Sequence, residues 1–157
     1  MTRLPLTLLT VSLLASCVAP PAKPKDLWIG GPLEGWKMAG PGAFVMEDGA
    51  LKATGGMGML WYAAESYQDF RLELDWRVDE PDDNSGVFVR FPDPGDDPWV
   101  AVNGGYEIQI ANSGDSHHRT GCLYSLTEAK NPVDAKVGEW NTFLITLDGP
   151  RTIVELN

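Results

Sequence analysis

The chain predicts an all-β sandwich or jelly roll of antiparallel sheets, and three observations carry that prediction. Turn signals recur at short intervals: Gly30-Gly31-Pro32, Gly40-Pro41-Gly42, Asp48-Gly49, Gly55-Gly56, Pro94-Gly95, Gly104-Gly105 and Asp148-Gly149-Pro150. The runs between them alternate apolar and polar residues, which puts one strand face in a core and the other in water. No stretch carries the apolar spacing of an amphipathic helix. Many short strands joined by Gly/Pro turns bury their apolar faces by packing sheet on sheet.

The first residues are read as a targeting segment. Arg3 supplies a thin positive region, and Leu4 to Leu14 form an apolar stretch too short to span a bilayer. Leu14-Ala15-Ser16-Cys17 looks like a bacterial lipobox, in which the Cys17 thiol would be diacylated and become the mature N-terminus. The bland alternative is a secretory signal with an incidental Cys17. Residues 18–25 are Pro-rich and read as an extended tether. The expected organisation is therefore a signal over 1–17, a tether over 18–25 and one domain over 26–157. A lipid anchor would hold the domain on a membrane, at the periplasmic side of the bacterial envelope or on the outer membrane. Cys122 is the other cysteine. With Cys17 lipidated no disulfide can form, and Cys122 reads as a buried, inert thiol.

Within the domain, the clearest strand is residues 70–79. Phe70, Leu72, Leu74, Trp76 and Val78 share one face; Arg71, Glu73, Asp75, Arg77 and Asp79 share the other. Next, Val87, Val89 and Phe91 oppose Phe88 and Arg90. In residues 105–110, Tyr106, Ile108 and Ile110 face the core side while Glu107 and Gln109 face away. Residues 120–124 are strand-like. Asn141, Phe143, Ile145 and Leu147 alternate with Trp140, Thr142, Leu144 and Thr146, and residues 151–157 read as a last strand. The net charge of -10 argues against nucleic acid and anionic lipid as partners. Much of the acid sits in residues 79–83 and 93–97. These read as solvated turns, with a divalent cation such as Ca²⁺ as the sharper alternative, although the spacing matches no EF-hand loop.

Generic catalytic signatures are absent: there is no nucleophile elbow, phosphate-binding Gly loop or Cys/His metal spacing. What remains is a polar set of Arg90, Glu107, Gln109, His117, His118 and Tyr124. A carboxylate and an amide together on a polar sheet face suit a sugar-binding or sugar-cleaving surface. If their strands are neighbours, Arg90 and Glu107 meet on one concave side. Arg90 would lower the carboxylate pKa there, and apolar surroundings would raise it. The alternative is a cross-strand ion pair on a wet face. His117 and His118 are the chain's histidines and natural general bases; as loop residues they also fit no role. Trp61, Tyr106, Tyr124 and Trp140 could stack on pyranose rings or pack in the core, and Tyr106 is expected inside.

Asn84-Ser85-Gly86-Val87-Phe88-Val89-Arg90, Gly105-Tyr106-Glu107-Ile108-Gln109-Ile110, Thr120-Gly121-Cys122-Leu123-Tyr124 and Gly138-Glu139-Trp140-Asn141-Thr142 follow one another in the chain. In this order the set resembles the 3-keto-disaccharide hydrolase domain family, a concanavalin-like jelly roll of bacterial envelope and secreted proteins. Leu33-Glu34-Gly35-Trp36 looks like the family's opening turn, and residues 44–51 like its first hairpin, turning at Asp48-Gly49. The family's last Leu-Asn strand is normally followed by Gly and further strands. The sequence stops at Leu156-Asn157, and a domain lacking its closing strands is expected.

The resemblance implies cleavage of glycosides already oxidised at C3 by a separate sugar 3-dehydrogenase. The ketone acidifies the C2 proton, a base removes it, the C1 substituent leaves, and water adds to the 2-hydroxy-glucal. On this reading Glu107, His117 or His118 is the base and Arg90 stabilises the enolate, while Gln109, Tyr124 and Trp140 bind sugar. The rivals are a non-catalytic carbohydrate-binding, lectin-like module on the same sandwich and an inert fragment.

Overall fold

The computed structural model describes residues 23–157. The expected signal, the lipobox Cys17 and most of the tether lie outside the described residues.

Among the described residues nine strands and one short helix follow in order: β1 Trp36–Ala39, β2 Ala43–Glu47, β3 Ala50–Thr54, β4 Met59–Tyr62, β5 Phe70–Trp76, β6 Asn84–Val89, α1 Trp99–Gly104, β7 Tyr106–Ala111, β8 Asn141–Asp148 and β9 Arg151–Leu156. All strand pairs are antiparallel: β1 with β4, β2 with β3, β6 with β7, and β5–β8–β9 as a three-stranded sheet. This is the all-β sandwich architecture that the alternation predicts. The β2–β3 hairpin turns at Asp48 (φ 51°) and Gly49 (φ 79°), both left-handed, and Asn, Asp and Gly carry such a turn with little strain.

Two sheets face each other across the core. Trp76, Phe143, Ile145 and Leu147 come from the three-stranded sheet, and Val89, Ile108 and Ile110 from β6 and β7. Phe70, Leu72, Leu74, Val87, Leu123, Val154 and Leu156 pack around them. Phe143 is 0% exposed, and its ring centroid lies 4.9 Å from that of Trp76. Tyr106 apart, the expected period-two faces of β5, β7 and β8 therefore point where the sequence puts them.

Four local expectations change. The strand expected to reach Asp79 ends at Trp76, although Val78 stays buried. Residues 99–104, in a chain where no helix was expected, form α1. Pro98 opens it with φ -63°, and Asp97 Oδ1 accepts the Trp99 backbone N–H at 2.9 Å. A helix this short is below the length at which apolar periodicity shows. Residues 120–124 form no named strand; Leu123 makes isolated bridges to Ile108 and Thr127. Tyr106 is 44% exposed, not inside, although Val89, opposite it in the register, is buried.

Candidate active site

The strand register brings the sequence-selected residues of β7 into rows on the face turned away from the core. Phe88 lies opposite Glu107, Gly86 opposite Gln109, and Asn84 opposite Ala111. On the other side of β7 the 120–124 segment pairs without forming a strand. The Thr120 N–H donates to Ala111 O (2.9 Å), Gly121 N–H to Gln109 O (2.9 Å), Gln109 N–H to Cys122 O (3.1 Å) and Tyr124 N–H to Glu107 O (3.0 Å). Side chains in one row of a sheet share a face. One row is thus Phe88–Glu107–Tyr124 and the next is Gly86–Gln109–Cys122.

Glu107 stands between two aromatic residues and over a glycine. A Cβ built on Gly86 would lie 2.2 Å from Glu107 Oε1, so the carboxyl occupies the space that a side chain there would need. Burial pushes the Glu107 pKa up to about 7 by making its charged form costly. Among the described residues no ion pair offsets that cost. A carboxylate poised near neutrality beside an open face is a group that can take and return a proton.

Gln109 is a support for the site and not a surface contact, for it is 1% exposed. Its Nε2 donates to Asn84 Oδ1 at 3.1 Å and to the His118 carbonyl at 3.4 Å, while its buried Oε1 has no partner. The expected role in holding sugar hydroxyls is corrected, because the 112–125 loop folds across it. That loop also separates the histidines. His118 Nδ1 lies 2.7 Å from Asp115 Oδ1 and Nε2 lies 3.0 Å from Ser125 Oγ; its ring meets Tyr124 edge-on, 4.7 Å between centroids. His117 turns instead towards Glu128, at 3.5 Å. The His117 backbone N–H, followed by the His118 ring, holds the Asp115 carboxyl below its usual pKa. Cys122 is buried; burial pushes its thiol up, and Sγ donates to the His117 carbonyl at 3.0 Å. It is the inert thiol that the sequence predicts.

Two expected site residues are not brought to Glu107. Arg90 follows β6 with φ 57°, which breaks the alternation that would have placed it beside Phe88. Its guanidinium donates to the Gly149 carbonyl and lies 3.8 Å from Asp69 Oδ1, beside the β8–β9 turn. Arg90 therefore ties one sheet to the other and forms no pair with Glu107. Trp140 is 55% exposed and sits before β8 on the outer face of the three-stranded sheet, with Arg77 5.2 Å from its ring centroid. Glu107 faces outward from the other layer. Trp61 is buried and serves packing.

The acidic loops use their carboxylates as turn acceptors. Asp83 Oδ2 takes the Asp79 and Glu80 backbone N–H groups at 2.8 and 3.0 Å, and Asp93 Oδ1 takes that of Gly95 at 2.9 Å. Among the described residues no three His, Cys, Asp or Glu side chains converge in a way that could hold a metal ion. Two open clefts lie away from Glu107. One of about 590 Å³ is lined by the 26–32 segment and Tyr62, the other of about 400 Å³ by Glu73, Thr142, Leu144, Glu155 and Asn157.

Comparison with known families places this geometry. The model of the 3-keto-alpha-glucoside-1,2-lyase-like domain matches residues 23–157, and so includes both rows of the face and the loop over them. The chain belongs to that family. Among solved structures, the lyase-like domain is similar to the crystal structure of a protein from Parabacteroides distasonis assigned as a glycosyl hydrolase. The TM-score is 0.65 and the identity 19%, and the match covers 83% of this chain and 66% of that one. The likeness is one of fold, and the chain spans slightly less than two thirds of its neighbour. No curated protein matches it.

Of the side chains that the structure groups here, the sequence singled out Glu107, His118 and Tyr124 but not Gly86, Asp115 and Ser125. Asp115 precedes His118 by three residues in a Gly- and Ser-rich loop, a spacing that a turn closes, and that signal was available. Nothing local marks Ser125.

Proposed function

We propose that this lyase-like domain cleaves 3-keto-glycosides by elimination across C1–C2 followed by hydration. A half-buried carboxyl with its pKa near 7, set between Phe88 and Tyr124 on an accessible sheet face, carries the reading. In its ionised form Glu107 takes the C2 proton that the neighbouring ketone acidifies. The C–H electron pair moves into the C1–C2 bond as the C1–O bond breaks, and the leaving oxygen gains a proton. Water then adds at C1 and Glu107 returns its proton to C2, so the sum is hydrolysis of the glycosidic bond. The aromatic faces of Phe88 and Tyr124 are suited to a pyranose ring, and the Tyr124 hydroxyl to its oxygens. Glu107 is favoured over His118 as the base because both His118 ring nitrogens already have partners.

The substrate class requires an upstream sugar 3-dehydrogenase. The lipobox-like Leu14-Ala15-Ser16-Cys17 supports a lipid-anchored location at the bacterial envelope, which palmitate incorporation lost in Cys17→Ala would test.

The decisive experiment is incubation of the protein and of Glu107→Gln with a panel of 3-keto-disaccharides, with and without chelator. Turnover by the parent, and its loss in a Glu107→Gln protein that melts normally, is the expected result. Binding of unoxidised glucans with no turnover of any 3-keto-glycoside would overturn the reading in favour of a lectin-like module.

A further inference from the structure

Elimination needs an acid as well as a base, and Glu107 cannot be both within one step. Beside its row lies a second array of titratable groups that the proposed function leaves unused. Asp115 Oδ1, the two ring nitrogens of His118 and Ser125 Oγ form an unbroken line, with contacts of 2.7 and 3.0 Å. The array is attached to the Glu107 face at three points. The His118 ring packs edge-on against Tyr124, the Gln109 amide holds the His118 carbonyl, and the Tyr124 N–H donates to the Glu107 carbonyl. Ser125, next to Tyr124, is held in the left-handed region at φ 59°, a conformation that costs a serine free energy, and its N–H is fixed to the His117 carbonyl at 2.9 Å.

We infer that Asp115, His118 and Ser125 form a proton relay whose terminal hydroxyl protonates the departing glycosidic oxygen. Asp115 accepts a hydrogen bond from the Nδ1–H of His118 and fixes that tautomer, leaving Nε2 to exchange protons with Ser125. As the C1–O bond breaks, the Ser125 Oγ proton passes to the leaving oxygen and the Nε2 proton of the His118 imidazolium replaces it. His118 ends neutral and Asp115 stays ionised. In the hydration step the added water gives its proton back through Ser125 to His118, and the cycle closes. Ser125 is not placed to act as an acyl-transfer nucleophile. The Ser125, Leu126 and Thr127 backbone N–H groups all donate to carbonyls of His117 or Leu123, so none is free to hold an oxyanion.

The inference rests on the proposed elimination, and leaving-group chemistry separates the relay from the base assignment. A nitrophenolate departs without a proton, whereas an alkoxide needs one. Methyl and 4-nitrophenyl 3-keto-glucosides are compared in the full chain, in Ser125→Gly (which accepts φ 59° and removes the hydroxyl), in Asp115→Asn and in Glu107→Gln. The relay variants are expected to lose about 100-fold in kcat/KM on the methyl glycoside and less than about threefold on the nitrophenyl one. Glu107→Gln is expected to lose activity on both. An equal loss on both substrates in the relay variants, or none on either, overturns the relay. So does labelling of Ser125 by a fluorophosphonate. If Glu107→Gln keeps full activity, the base assignment fails, and the leaving-group contrast still decides the relay.

Discussion

The Glu107 carboxyl fills the space above the Cα of Gly86, so close that a β-carbon on Gly86 would sit 2.2 Å from Oε1, 2.6 Å from Cγ and 2.8 Å from Cδ. The φ of Gly86 is not left-handed, so this glycine is required by close approach and not by backbone conformation. Only a side chain has to give way. Gly86→Ala is therefore expected to displace the Glu107 carboxyl at a cost of about 1 kcal/mol in stability. Turnover of 3-keto-glycosides should fall at least about tenfold, as misplacement of a reacting group does. Full activity in a Gly86→Ala protein would show that the carboxyl position does not matter.

Glu107 also gives the protein a pH signature. Its folded pKa is raised from 4.5 to about 7 by burial. Between these values the folded state holds a proton that the unfolded state has released, so stability falls as pH rises through this window and levels off above about 7. Glu107→Gln should remove that slope and stabilise the protein at pH 8 by about 1–2 kcal/mol after allowance for solvent, with little change near pH 4. Melting curves at the two pH values check this. In the parent, kcat/KM for a 3-keto-glycoside should rise with pH to a plateau above about 7, since the ionised carboxylate is the base.

Arg90 belongs to the framework. Replacement by Asn, which tolerates the left-handed φ of 57°, removes the bond to Gly149 and the pairing with Asp69. The expected loss is about 1 kcal/mol of stability, with kcat/KM changed by less than about threefold. A fall of 100-fold in a stably folded Arg90→Asn protein would instead restore Arg90 to the chemistry.

Phe143 anchors the layer opposite the candidate site. It is fully buried on the central strand of the three-stranded sheet and packs against Trp76. Phe143→Ala should cost about 3–5 kcal/mol, measured by denaturant unfolding. A loss under about 1 kcal/mol would mean that the two sheets do not share this core.

The sequence by itself determined the strands and their faces. In residues 70–76, 106–111 and 141–148 the apolar residues fall on alternate positions, and a strand's geometry forces such positions to one side. This settled that Glu107 points away from the core before any pairing was known, and the Asp48-Gly49 turn was legible because only certain residues accept both left-handed angles. The ordered motifs likewise carried the family. Tertiary structure decided how the faces were furnished. One left-handed residue, Arg90, ended the alternation and sent a guanidinium to the other sheet. The 112–125 loop sealed Gln109, joined Asp115 and Ser125 through His118, and set His117 aside. Trp140 fell on the opposite outer surface because β8 belongs to the other layer. Period-two alternation is a local property and can be read from neighbours. The covering of a face depends on contacts between segments far apart in the chain, and composition does not encode those.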